Sequence, residues 1–263
     1  MADKTEAKKS LGQHWLNDGT ILRSIVDCAD IQEGDSVLEI GPGHGTLTEK
    51  LAETGAEITA LEFDQDLIGL LKVKFANTSQ VKVREGDIRT FNFDSLPTGY
   101  KIVANIPYYL TSHLIRSISE TSNPPVVAVL LIQKEVAERL CALPGQLSIL
   151  GLTAQYYFDC NPSILVPARF FTPPPKVDSQ VVQLSRKKNL KFKKSDEQEF
   201  FRLIKAGFSE KRKTLRNSLS GGLGISKDEV VAMLKKADID EGLRAQALSL
   251  EDWYKLYAVS SKQ

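Results

Sequence analysis

Residues 36–52 read SVLEI, then GPGHG, then TLTEKLA, and no other stretch restricts the fold as much. Five residues with an apolar run are too few for a buried helix and suit a buried strand. Three glycines in five positions then let the backbone turn sharply and approach another group closely. The next seven residues have helical spacing. Strand, glycine-rich turn and helix in succession form the crossover of an open, mostly parallel α/β sheet, in which ligands bind outside the carboxyl ends of the strands. The spacing is G-x-G-x-G rather than the G-x-G-x-x-G of dinucleotide folds. Glu39 stands two residues before the first glycine. A carboxylate there disfavours a pyrophosphate and suits a ligand carrying an amine or a positive charge. The competing reading is a tight βα turn with no ligand.

The neighbouring segments repeat the pattern. Ile58 to Glu62 reads as a second strand, and Glu62 lies 21 residues after Gly41, the spacing of an acid that accepts from ribose hydroxyls. Val81 to Val83 gives a third strand, followed by Asp87, which can accept from an adenine amine while Ile88 packs on the ring. Lys101 to Ala104 gives a fourth, stopped by Asn105-Ile106-Pro107-Tyr108. Pro107 fixes its own φ and pushes Ile106 towards extended backbone. A stiff corner thus carries an amide, with one acceptor and two donors, beside a flat ring. That pairing suits an exocyclic amine on a heterocycle such as adenine. The plainer alternative is a polar loop with a capping Asn and a core Tyr. Each acid alone is more often a helix cap. Three strands that deliver Glu62, Asp87 and Asn105 to one edge are harder to assign to chance.

Ahead of this region, KKSLGQHWL (residues 8–16) holds apolar residues around Gln13 and His14 and reads as a docking arm or a ligand lid. Asp18 follows as an N-cap for a helix from about Gly19 to Ala29. Beyond the fourth strand, helices are expected at Thr111–Ile118, 133–140 and Gly145–Tyr157, with a long strand at Val126–Ile132 between the first two. Four prolines between Val166 and Ser179 imply a rigid polyproline-like wall carrying Phe170 and Phe171, either of which could stack on a base. Residues 180–184 alternate as a last strand.

Charge is unevenly distributed. The 263 residues sum to +1, yet residues 27–66 hold eleven acids and one base, and residues 186–216 hold twelve bases and four acids. A concentrated basic block suggests contact with a polyanion in one place, against the plainer reading of a solvated surface. The block opens at a plausible boundary near residue 188. After it come an apolar helical face (Phe200, Phe201, Leu203, Ile204, Phe208) and the cationic stretch 209–217. A glycine loop at Gly221, Gly222 and Gly224 and two further helices follow. No apolar run nears the roughly 18 residues of a membrane span. The first ten residues resemble neither a secretory signal nor a transit peptide. Three scattered cysteines and three histidines lack metal-ligand spacing, so reduced thiols, no metal and a cytoplasmic location are expected.

In order along the chain, KKSLGQHWL, EIGPGHGTLT, ALEFD, GDIRTF, VANIPYYLTSHLI, LLIQKEVAERL, FTPPPKVDSQVV and KRKTLRNSL resemble the ribosomal RNA adenine N6,N6-dimethyltransferases, most closely the bacterial small-subunit (16S) type. The resemblance implies a Rossmann-like methyltransferase sheet, mainly parallel with the last strand antiparallel, over residues 1–188 with an arm at 1–16. It also implies an all-helical RNA-binding domain at 189–263. The implied donor is S-adenosylmethionine (SAM). His14 and Leu16 would cover it, Gly41 would line its methionine end, Glu62 its ribose and Asp87 its adenine, with Asn105 touching both donor and target. His14 departs from the Asn common at that position. Asn105, Pro107, Tyr108 and Phe171 would form the catalytic corner. The Asn105 oxygen and the carbonyl of Ile106 or Pro107 would accept the amine protons, while Tyr108 and Phe171 would stack on the base. Lys176, Lys211, Arg212, Lys213 and Arg216 would contact RNA. The expected partner is 16S rRNA in the immature 30S subunit, met by a monomer. The alternatives are a large-subunit resistance methyltransferase and a binding protein that has lost catalysis.

Overall fold

The computed structural model describes Lys8 and residues 12–261. Residues 1–7 and Lys9, Ser10 and Leu11 of the expected arm lie outside them. The chain forms two compact units. The first runs to Glu138 and resumes at Phe158–Arg186; the second comprises Arg139–Tyr157 and everything from Lys187 on.

The first unit begins with β1 (Trp15–Leu16), α1 (Gly19–Asp27), β2 (Ser36–Ile40), α2 (Thr46–Ala52), β3 (Glu57–Glu62), α3 (Gln65–Lys74) and β4 (Val81–Glu85). It continues with β5 (Lys101–Asn105), α4 (Thr111–Glu120), β6 (Val127–Gln133) and α5 (Lys134–Leu140), the last reaching its border. Past α6 (Ile149–Tyr157) it resumes with β7 (Phe158–Val166), β8 (Phe171–Thr172) and β9 (Ser179–Arg186). Seven strands join in the order β4-β3-β2-β5-β6-β9-β7. Neighbours from β4 to β6 are parallel; β9 is antiparallel to both β6 and β7. The five interior residues of β6 are all buried, as a strand covered on both faces requires. Asp18 caps α1 by accepting from the backbone N–H of Thr20 and Ile21.

The strand order reverses between β2 and β5. The chain leaves β2 towards β3 and β4 on one side and leaves β5 towards β6 on the other. Their carboxyl ends lie side by side in register, with Ile40 opposite Ala104. The glycine turn and the Asn-Ile-Pro-Tyr corner therefore meet at the crevice between them.

The edge strand β7 has no alternating pattern to announce it. Its sequence, FDCNPSILV, carries Pro162, and the register shifts between Pro162 and Leu165. Proline lacks a backbone donor and is tolerated at an edge or a bulge. The expected helix at 145–157 is shorter, beginning at Ile149.

The second unit holds α6, then α7 (Lys194–Gly207), α8 (Leu215–Leu223), α9 (Lys227–Lys236) and α10 (Leu250–Ser260). Its return to residues 139–157 differs from a single cut at 188. Two sets of contacts explain the return. The backbone N–H of Gly145 donates to Gln246 O at 2.8 Å. The hydroxyls of Tyr156 and Tyr157 donate to the buried Glu197 carboxylate at 3.2 and 3.0 Å. Ser226 and Ser249 each close a capping box at the start of α9 and α10.

The expected glycine loop is instead helix: Gly221 and Gly222 belong to α8, and Gly224 caps it in the left-handed region at φ 70°. A Cβ on Gly222 would lie 2.6 Å from Ala206 Cα and 2.7 Å from Ala206 O, so α8 crosses α7 backbone to backbone there. Helix propensity alone would favour alanine at this site by about 1 kcal/mol. The clash is with backbone that cannot rotate away, and overpacking costs typically about 1–3 kcal/mol. Gly222→Ala is therefore expected to lower the urea midpoint with the slope unchanged; a raised midpoint would mean that propensity wins.

Candidate active site at the sheet switch point

A cleft opens at the carboxyl ends of β2, β3 and β5 and beside the turn after β4. Among its walls are the arm, the glycine turn, Glu62 with Phe63, residues 86–89 and the corner 105–110. Gly41, Gly43 and Gly45 all have positive φ (69°, 59° and 76°), a region that side chains strain to adopt. A Cβ on Gly41 would stand 3.7 Å from the Asn105 carbonyl, and one on Gly43 only 3.2 Å from the Trp15 ring. The turn is thus pressed between the corner and the arm.

Asn105 ends β5. Its amide Nδ2 donates to the His14 carbonyl at 3.2 Å, which leaves Oδ1 for a donor in the cleft. The Pro107 carbonyl accepts from Leu110 N–H at 3.0 Å. Tyr108 is half-buried, and its hydroxyl is 2.8 Å from Ser179 Oγ. His14 Nδ1 lies 2.7 Å from the Pro173 carbonyl; a carbonyl only accepts, so Nδ1 carries the proton. The His14 and Tyr108 rings stack with centroids 5.9 Å apart and planes 23° apart.

The arm is fastened at several points. Lys8 Nζ donates to Asp64 Oδ1 at 2.6 Å, and Gln13 Nε2 donates to Asp64 Oδ2 at 2.9 Å. Lys8 also pairs with Asp66. Burial works against the Asp64 carboxylate, but the bonds from Lys8, Gln13 and the Asp66 N–H hold its carboxyl below the usual range. Thr46 Oγ1 donates to the Leu16 carbonyl at 3.0 Å, and Trp15 meets the His44 ring edge-on at 4.1 Å.

The acids of the cleft differ in state. Burial pushes the Glu62 carboxyl up, opposed by N–H bonds from Asp64, Gly43 and Phe63 at 2.8, 3.1 and 2.9 Å. Asp87 forms a bidentate pair with Arg89, which holds its carboxyl low. Glu39 is 1% exposed, and neither carboxyl oxygen has a hydrogen-bond partner among the described residues. Burial pushes it up to about 8. A desolvated carboxyl on the cleft wall stays protonated at neutral pH and needs a cationic guest before it ionises. A donor bearing an ammonium and a sulfonium group meets that need. The positive-φ glycines and the Glu62 and Asp87 carboxylates complete a site that fits SAM.

His14, Leu16, Gly41, Glu62, Asp87, Asn105, Pro107 and Tyr108 are thus brought together on the cleft wall. Phe171 is not. As the first residue of β8 it pairs with Leu16 of β1, is 3% exposed and belongs to the core cluster. Successive strand residues point to opposite sides, and in this short ribbon residue 171 is the one turned inward. Phe170, partly buried, has the Arg169 guanidinium 5.0 Å above its ring. Sequence reasoning also missed Arg89, Asp64 and Ser179 as partners of site residues. Position was the only signal for Arg89 and Asp64, each just past a flagged acid, whereas Ser179 reaches Tyr108 across 71 residues and gave none.

Lys176 is exposed on the proline-rich segment of this unit. In the second unit, Lys211, Arg212 and Lys213 lie exposed in the turn between α7 and α8. Lys213 pairs with Glu210 at 2.6 Å and Arg216 with Glu241 at 3.3 Å, whereas Lys211 and Arg212 have no carboxylate partner among the described residues. The three cysteines are free, and no helix among the described residues is long and apolar enough to cross a membrane.

Glu39 predicts a pH dependence. The unfolded chain releases this proton near the usual 4.5, whereas the folded protein holds it to about 8. The folded state binds more protons in that window, so stability falls as pH rises through it, by at most about 1.4 kcal/mol per pH unit, and levels off above. Glu39→Gln, melted without added cofactor, is expected to exceed wild type in Tm at about pH 8, with the gap closing by about pH 5. A gap independent of pH would exonerate the carboxyl.

Comparison with known proteins agrees with the geometry. Residues 4–262 match the family model described as ribosomal RNA adenine dimethylase. Ribosomal RNA small subunit methyltransferase A of Dehalococcoides mccartyi (strain CBDB1) is 39% identical over 256 residues, covering 95% of this chain and 87% of that one. A dimethyladenosine transferase from Plasmodium falciparum superposes with a TM-score of 0.82 at 29% identity, covering 95% of this chain and 98% of the other. The 23S rRNA methyltransferase ErmE superposes with a TM-score of 0.78 at 25% identity, covering 93% and 98%.

Proposed function

The chain belongs to the ribosomal RNA adenine dimethylase family, and from that premise we propose that it dimethylates the N6 amines of two adjacent adenosines in a hairpin loop near the 3′ end of 16S rRNA, late in small-subunit assembly. The family's donor, SAM, supplies a methyl group already activated on a sulfonium. The work left to the protein is to hold and orient. The observation that carries this reading is the tether on Asn105: with Nδ2 committed to the arm, Oδ1 is set to accept one N–H of an incoming amine. The carbonyl of Ile106 or Pro107 accepts the second N–H, Pro107 O keeping a lone pair beside the one that serves Leu110. Two acceptors on the amine protons aim the nitrogen lone pair, which is catalysis by orientation rather than by a strong base.

Tyr108, held by Ser179, offers a face to a base drawn out of its stack; stacking offsets roughly 1–3 kcal/mol of that cost. Gly41, Glu62 and Asp87 receive the methionine, ribose and adenine parts of the donor beneath His14 and Leu16, and buried Glu39 answers its positive charge. RNA phosphates are met by Lys176 and by the basic turn. There Lys211 and Arg212 lead, because Lys213 and Arg216 must first give up their glutamates. The protein acts on the immature 30S subunit as a monomer in the cytoplasm.

The likeness to a 23S enzyme gives the competing reading of a large-subunit methyltransferase. Labelled methyl transfer to 30S precursors and to naked 23S rRNA separates the two. Transfer to the precursors is expected. Transfer to 23S rRNA alone overturns the substrate, and binding without transfer overturns the activity. In the same assay Asn105→Ala should lower kcat roughly 10²–10³-fold while rRNA affinity changes little; equal losses in both would contradict its role.

Charge removal at Lys211 and Arg212 should weaken rRNA binding and flatten the dependence of log K on log salt by roughly one to two. An unchanged slope would assign the turn to plain surface.

A further inference from the structure

We infer that His14 is the second face of the base clamp, so that the target adenine is gripped between the rings of Tyr108 and His14. This rests on the methyltransferase reading above and names a substrate contact beyond it. The face expected from the proline-rich segment is missing: Phe171 is 3% exposed, inside the core. The ring that does oppose Tyr108 is His14, nearly parallel to it at 5.9 Å. Both rings line the cleft next to Asn105.

Each ring is anchored from outside the slot. Tyr108 is held at its hydroxyl by Ser179 and His14 at Nδ1 by the Pro173 carbonyl, so neither needs the other to keep its plane. Two rings that hold a base between them stand about 7 Å apart, twice the stacking step of a nucleic acid strand. The observed 5.9 Å is a centroid distance within the range of offset-stacked rings, so the two rings now rest on each other and a base would enter by parting them. The His14 backbone carbonyl receives the Asn105 amide, so the residue that would close over the base also fixes the group that accepts its amine. One arm residue thereby links base capture to amine orientation.

The test uses the full chain on 30S precursors, with SAM affinity measured by calorimetry beside steady-state kinetics. His14→Ala is expected to raise the KM for rRNA roughly 5- to 100-fold, the range for loss of a base-stacking ring, with a smaller loss of SAM affinity because His14 also covers the donor. His14→Phe, which keeps a ring but not the Pro173 bond, should stay near wild type; His14→Asn should behave like the alanine variant. Precursors carrying 2-aminopurine at the target position add a direct readout. Its emission should be quenched in the wild-type complex and partly restored by His14→Ala. The clamp is overturned if the Phe variant fails as badly as Ala, or if the loss is confined to SAM affinity. It is also overturned if wild type methylates while Ala keeps the rRNA KM and the quenching. A wild-type protein that transfers no methyl to either rRNA sinks the underlying reading instead.

Discussion

The site depends on the reversal of strand order between β2 and β5. Two parallel strands end at the same level, and the segments that leave them depart to opposite sides of the sheet. No connection crosses the gap between their carboxyl ends, so a crevice forms there whatever its lining. The glycine turn can reach the back of the Asn105 corner only because those strands are neighbours. The arm, the acids and the Asn105 amide all converge on this spot because the backbone leaves it open.

The charged residues that line the crevice are mostly acids. The acid-rich segment 27–66 supplies the buried carboxyls of Glu39 and Glu62 and the clasp at Asp64. Such a lining repels a phosphate chain and welcomes a compact cation, whereas the basic turn of the second unit has the opposite preference. A donor with a positive centre and a polyanionic target can therefore be sorted by charge before any specific contact is made. The cost sits in Glu39, a desolvated carboxyl held protonated up to about 8.

Much of this was legible in the sequence, for identifiable reasons. The GPGHG turn, the Asp18 cap, and the placement of Glu62, Asp87 and Asn105 at or just past strand ends follow from local rules that tertiary packing does not override. Features that depend on distant partners were not legible. Pro162 hid β7, because nothing local says that a strand will lie at an edge. Gly222 read as part of a loop because the reason for its smallness, the Ala206 backbone, lies far back along the chain in α7. The return of 139–157 to the second unit rests on Gln246 and Glu197, and composition shifts only near 186. Phe170 and Phe171 could not be told apart, since only the pairing of Leu16 with Phe171 decides which ring turns inward.

Trp15 has one further consequence. Its indole rests on the glycine turn and against the His44 imidazole, at the seam where the arm closes. The chain has one other tryptophan, Trp253, which is fully buried in the second unit. The molecule therefore carries an intrinsic optical gauge: emission from Trp15 varies with the seating of the arm, over a steady background from an indole shielded from solvent.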